Sequence, residues 1–160
     1  MEAIKLSKYI ISKFDDTGDL LTNKKLQKLL YYIESWSLVH LESIVDEDFE
    51  AWIHGPVIPL VYHEYKKFSY SPIALLYEKK IDASEYIIQF ENEHKSLRKH
   101  FELIDNVLNK YGILTSRELE FLSHTESPWL EARGTSKILD NCSTIISKES
   151  MRNYYSSLIS

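Results

Sequence analysis

Apolar positions recur at helical spacing along most of this chain. Ala3, Leu6 and Ile10 form one stripe with Ile4, Ile11 and Phe14 beside it, which predicts a short amphipathic helix over Met1–Phe14. The turn residues Asp15-Asp16-Thr17-Gly18-Asp19 end it. Thr22 or Asn23 is placed to cap a second helix, patterned from Leu26 through Leu29, Leu30, Ile33 and Trp36 to His40. Tyr31, Tyr32 and Trp36 wrap more than one of its sides, so it is expected to be the central helix.

An acidic loop, Glu42–Asp48, leads into a short strand over Phe49–Ile53. Gly55 is free of the steric limits of other residues, and Pro56 pushes it out of the helical region, so Gly55-Pro56 reads as a rigid corner. Pro59 suits the first turn of a helix over Leu60–Phe68, with Val61, Tyr62, Tyr65 and Phe68 inward. Pro72 discourages a helix across Ser69–Lys80.

Leu97, Phe101, Ile104, Val107 and Leu108 predict one helix over Asn92–Tyr111, ended by Gly112. Thr115-Ser116-Arg117-Glu118 has the form of a capping box, and the helix it opens breaks at Thr125-Glu126-Ser127-Pro128. Ser127 is expected to cap a short helix with Pro128 at its first position, closed by Gly134. Thr144–Ile146 suits a short strand, and Ser147 opens a last helix through Met151, Tyr154, Tyr155 and Leu158. With 4 glycines and 4 prolines there is little material for the turns of a β-sandwich. The expected fold is mainly α: a compact single-domain helical bundle over 1–160 with minor β elements around 49–53 and 144–146.

Composition supports a folded domain, because 44% hydrophobic and 27% charged residues are close to globular averages. A net charge of −5 is the wrong sign for non-specific binding to phosphate backbones, so nucleic acid is not an expected partner. Lys24, Lys25 and Lys28 read as a solvated helix face rather than a basic patch. A lone Cys142 leaves no internal disulfide and fits a reducing compartment. No secretory leader is visible, and no run approaches the ~18 apolar residues that span a bilayer, so no membrane role and a cytoplasmic location are expected.

The chain lacks a glycine-rich phosphate loop, a GxSxG elbow and an HExxH motif. The six histidines show no ligand spacing on one helix face, although His54, His63, His124 and Cys142 together have the chemistry of a zinc site. Cys142 reads either as a nucleophile or, more simply, as a small half-buried hydrophobe. His124 with Glu126, Glu131 and Arg133 suggests acid–base work, against the plainer reading of a salt-bridged helical corner. No catalytic, cofactor-binding or metal-ligating residue is assigned. The 11 tyrosines and 3 tryptophans suit protein interfaces, where large apolar area meets a hydrogen-bonding tip; core packing is the competing explanation.

Three blocks, in order, resemble the Panacea domain family, the SocA-like antitoxins of bacterial and phage toxin–antitoxin systems. They are TNKKLQKLLYYIESW (22–36), FEAWIHGPVIPLVYHEY (49–65) and LEFLSHTESPWLEAR (119–133). The motif positions carried by the resemblance include Lys25, Leu26, Lys28, Leu29, Tyr31, Trp36, Ala51, Trp52, Gly55, Pro56, Val57, His124, Pro128, Trp129 and Arg133. Of these, Lys25, Lys28, Tyr31, Trp36, Trp52, Gly55, Pro56, His124, Pro128, Trp129 and Arg133, together with Tyr32, His54 and Tyr62, are the candidate motif or protein-binding residues.

The resemblance implies a mainly helical, non-enzymatic antitoxin, with no cofactor, that neutralises a toxin encoded by the adjacent gene. Some family members instead act as adaptors that deliver the toxin to a protease, and others carry an added DNA-binding domain. This chain is expected to hold the core domain alone. Motif residues shared across antitoxins of different toxins are expected to build scaffold, with Glu42–Asp48 and Ser69–Glu91 setting specificity. A basic, nucleotide- or RNA-handling toxin would complement the negative charge. The rival from another class is a histidine- or metal-dependent hydrolase using His124 or His54, and a transcription factor stands third.

Overall fold

The computed structural model describes residues 1–74, 82–136 and 140–160. Among them are eight α-helices and one small antiparallel sheet. Helix α1 (Ala3–Asp16) and helix α2 (Asn23–His40) come first, followed by strands β1 (Phe49–Trp52) and β2 (Gly55–Val57) and helix α3 (Pro59–Tyr65). Then come α4 (Ala83–Glu93), α5 (Arg98–Tyr111), α6 (Ser116–His124), α7 (Ser127–Arg133), strand β3 (Ile145–Ile146) and α8 (Lys148–Ser157).

The mainly α class is as expected, with α2 at its centre. Leu26, Leu29, Leu30, Tyr31, Tyr32 and Ile33 are fully buried, and α2 packs against α1, α3, α5, α6, α8 and β2. Truncating one such leucine to alanine would cost about 2–5 kcal/mol. Thr22 caps α2 by accepting from the Lys25 amide, and Thr115 with Glu118 forms the reciprocal capping box of α6.

Three expectations are corrected. The helix predicted over Asn92–Tyr111 is α5 alone, preceded by a 3₁₀ turn at Lys95–Leu97 and a separate α4. Tyr9 of α1 stacks on Phe90 of α4 at 4.8 Å and meets Phe101 of α5 at 5.3 Å, so the break lets two helices share one aromatic ring. Glu126 rather than Ser127 precedes α7, with no side-chain cap. Tyr62, expected inward, is 37% exposed. The stretch Ser69–Lys80 falls partly on residues 75–81, which lie outside the described residues.

The acidic loop is folded onto the body. Buried Glu34 of α2 accepts from the Ile44 and Val45 amides, each at 3.0 Å, and pairs with Lys148 at 3.1 Å. Glu47 accepts from the Ala3 amide at 2.8 Å, satisfying a free donor at the start of α1. Asp46 pairs with the Met1 amine at 2.7 Å, so two of the loop's four carboxylates are used internally.

The sheet order is β2-β1-β3. β1 and β2 form a hairpin in register Glu50↔Val57, Ala51↔Pro56 and Trp52↔Gly55, and β1 pairs β3 through Phe49↔Ile146 and Glu50↔Ile145. Ile53 and His54 turn the hairpin and Gly55 takes φ +103°, the positive backbone angle that glycine supplies at little cost. No helix among the described residues is long and apolar enough to cross a membrane.

Candidate functional site

The three sequence blocks meet at the β1–β2 hairpin, whose backbone is held by side chains from remote helices. On the outer side of β2, Lys28 Nζ donates to the Pro56 carbonyl at 3.1 Å and Gln27 Oε1 accepts from the Ile58 amide at 2.9 Å. Asn23 supports Gln27 at 3.1 Å and donates to the Tyr62 carbonyl at 3.1 Å. From the other side, Arg133 donates to the Ala51 carbonyl at 3.0 Å and Trp129 Nε1 to the Trp52 carbonyl at 3.0 Å. Buried strand groups need such partners, and here α2 and α7 supply them.

Lys28 is 1% exposed, so the expected solvated face is corrected at this position. A helix covered on every side has no water-facing stripe to offer it. Burial pushes the Lys28 amine down to about 7. Gly55 completes the fit: a Cβ there would stand 2.6 Å from Lys28 Cε and 2.9 Å from Ser123 Oγ. Pro128 is buried at the start of α7.

Beside the clamp, the His124 ring stacks on Trp129 at 4.0 Å and 16°, and the Arg133 guanidinium lies 5.0 Å from the same indole. Burial lowers the His124 pKa, and its buried Nε2 has no hydrogen-bond partner. Glu126 turns away to the phenols of Tyr155, at 2.5 Å, and Tyr32, at 3.4 Å. The acid–base pair suggested by sequence is thus split, and the salt-bridged corner is corrected at Glu126, which binds two tyrosines. Burial pushes the Glu126 carboxyl up to about 7.

The aromatic candidates divide into two groups. Tyr31 and Tyr32 are buried around Glu126, where Tyr32 stacks on Tyr111 at 4.1 Å and Trp36 Nε1 donates to the Tyr111 hydroxyl at 3.0 Å. Trp52 and Tyr62 instead form a surface pair, edge to face at 5.0 Å. Near it His54 meets Glu120 at 2.9 Å, and Lys24 pairs with the same carboxylate. Lys25 is apart from all of these, donating to the Gly112 carbonyl at 2.5 Å. Among the described residues no cluster of three His, Cys, Asp or Glu side chains is arranged to hold a metal ion.

The model of the family described as antitoxin SocA-like, Panacea domain, matches residues 26–130. The chain belongs to the SocA-like Panacea family. That span of the Panacea domain starts in α2, contains the hairpin and ends within α7, so it takes in both sides of the clamp except Asn23 and Arg133. No curated protein and no solved structure matches the chain.

Sequence reasoning missed Gln27 and Ser123, and it gave Asn23 only a capping role and Glu126 only an acid–base one; all four are buried and polar. Their signal was positional, since Asn23 and Gln27 sit one turn apart within the same buried helix that carries Leu26 and Leu30.

Proposed function

We propose that this chain is an antitoxin that binds the toxin encoded by its adjacent gene and neutralises it by direct protein contact. Membership of the Panacea family supports this, and one structural observation carries the mechanism. The polar residues that the family resemblance singles out, Lys28 and Arg133 above all, are buried and spent on backbone carbonyls. They act as scaffold, which leaves recognition to surfaces such as the Trp52–Tyr62 pair. A catalytic role for His124 has no support from its setting, stacked on Trp129 with Glu126 turned elsewhere.

Co-expression tests the reading. The neighbouring reading frame alone should arrest growth, and this chain should relieve the arrest while toxin levels stay constant. A harmless neighbour would refute the antitoxin reading, and relief accompanied by protease-dependent loss of the toxin would replace direct neutralisation with delivery.

A further inference from the structure

A groove of about 510 Å³ runs between the end of α2 and α5, remote in sequence from the hairpin tip. The two helices are antiparallel here: Trp36 bonds Tyr111 at one end, and His100 Nε2 contacts the Glu42 carbonyl at 3.0 Å at the other. Trp36, Leu41 and Leu103 give it an apolar floor, with Asn106 at mid-length. Lys99 and Lys110 flank it, three turns apart on α5, about 16 Å along the axis at 1.5 Å per residue. Both lysines are exposed and have no carboxylate partner among the described residues, while the groove's Glu102 is already paired with Arg98 at 3.3 Å. Lys110 Nζ stands 5.7 Å from the Trp36 ring centre, so charge and aromatic surface are presented together.

We propose that this groove seats an acidic amphipathic helix of the toxin. Apolar residues at i, i+4 and i+7 would lie on Trp36 and Leu103, and carboxylates near each end would meet Lys99 and Lys110. The inference rests on the antitoxin reading. It is specific because this cationic apolar strip belongs to a chain of net charge −5, so a docked acidic helix is favoured by local field where the molecule as a whole repels it. Net charge governs steering at a distance, and the groove governs register at contact.

The test is calorimetric titration of the purified product of the neighbouring reading frame into wild type, Lys99→Glu/Lys110→Glu, the milder Lys99→Gln/Lys110→Gln, and the control Lys5→Glu/Arg117→Glu. All four lysine and arginine positions are at the surface, and thermal melts establish folding before binding is compared. The charge-reversed pair should weaken binding about 10- to 100-fold, the glutamine pair less, and the control under about 3-fold; added salt should weaken binding of wild type more than that of the glutamine pair and should not weaken binding of the charge-reversed pair. Hydrogen exchange of the complex should be slowed over residues 36–41 and 99–111. Undiminished binding by Lys99→Glu/Lys110→Glu overturns the groove and leaves the antitoxin reading standing. A wild-type dimer that the same variant abolishes would give the groove to a second copy and overturn the proposal too. Failure of wild type to bind the neighbour refutes the antitoxin reading itself.

Discussion

Replacing Gly55 with alanine puts the greatest demand on the hairpin clamp. At φ +103° an alanine is held outside the regions open to side-chain-bearing residues, a strain of about 1–3 kcal/mol. Its methyl would stand 2.6 Å from Lys28 Cε and 2.9 Å from Ser123 Oγ. A free lysine would swing aside, but Lys28 is buried and anchored on Pro56, so the overpacking adds about 1–3 kcal/mol. The sum, about 2–6 kcal/mol, corresponds to a Tm lower by roughly 4–24 °C for a chain of this length. Urea and thermal unfolding followed by circular dichroism read it directly. The double variant Gly55→Ala/Ser123→Ala should recover part of the steric cost and none of the backbone strain. A Gly55→Ala protein within about 0.5 kcal/mol of wild type, or complete recovery by Ser123→Ala, would refute the reasoning.

Glu126 has a folded-state pKa of about 7 against an unfolded value near ~4.3, so the native state holds the extra proton and stability should fall by about 3 kcal/mol between pH 4.5 and 7. Urea titrations across that window should show the slope in wild type and its loss in Glu126→Gln. Lys28 runs the other way: the unfolded amine, near ~10.4, binds a proton that the native amine near 7 has lost, so stability should rise from pH 7 towards 10 and Lys28→Met should flatten that limb. Trp129→Phe keeps the ring over His124 but removes the indole donor to the Trp52 carbonyl, which still faces Gly55 across the hairpin, and should cost about 0.5–1.5 kcal/mol in chemical denaturation.

Helices with one apolar stripe were legible because their faces are decided by burial alone. α1 and the Thr115 box emerged from Ala3, Leu6, Ile10 and the Thr-x-x-Glu spacing within about two residues of their observed limits. The same logic failed at Lys28. Tyr31, Tyr32 and Trp36 wrapping α2 already implied a helix covered all round, and such a helix cannot also keep a solvated lysine face. β2 was hidden behind Pro56, which reads as a chain breaker. It is tolerated in the strand because its missing N–H faces the outer edge, where no ladder bond is lost. The partners of Glu126 come from α2 and α8, far apart in sequence, and periodicity carries no information about such contacts.

Covering the hairpin also limits how a partner can bind. An exposed strand edge invites pairing by a peptide, through a row of free amides and carbonyls. At β2 that row is taken: Lys28 occupies the Pro56 carbonyl and Gln27 the Ile58 amide. β1 is enclosed by β2 on one side and by β3, Arg133 and Trp129 on the other. β3 is two residues long, too short a template for strand addition. A toxin that binds this chain therefore reads side chains on helical faces or at the hairpin tip. A buried lysine costs stability relative to an apolar residue of similar size, yet with Gln27 it closes the outer edge of β2 to an extended peptide.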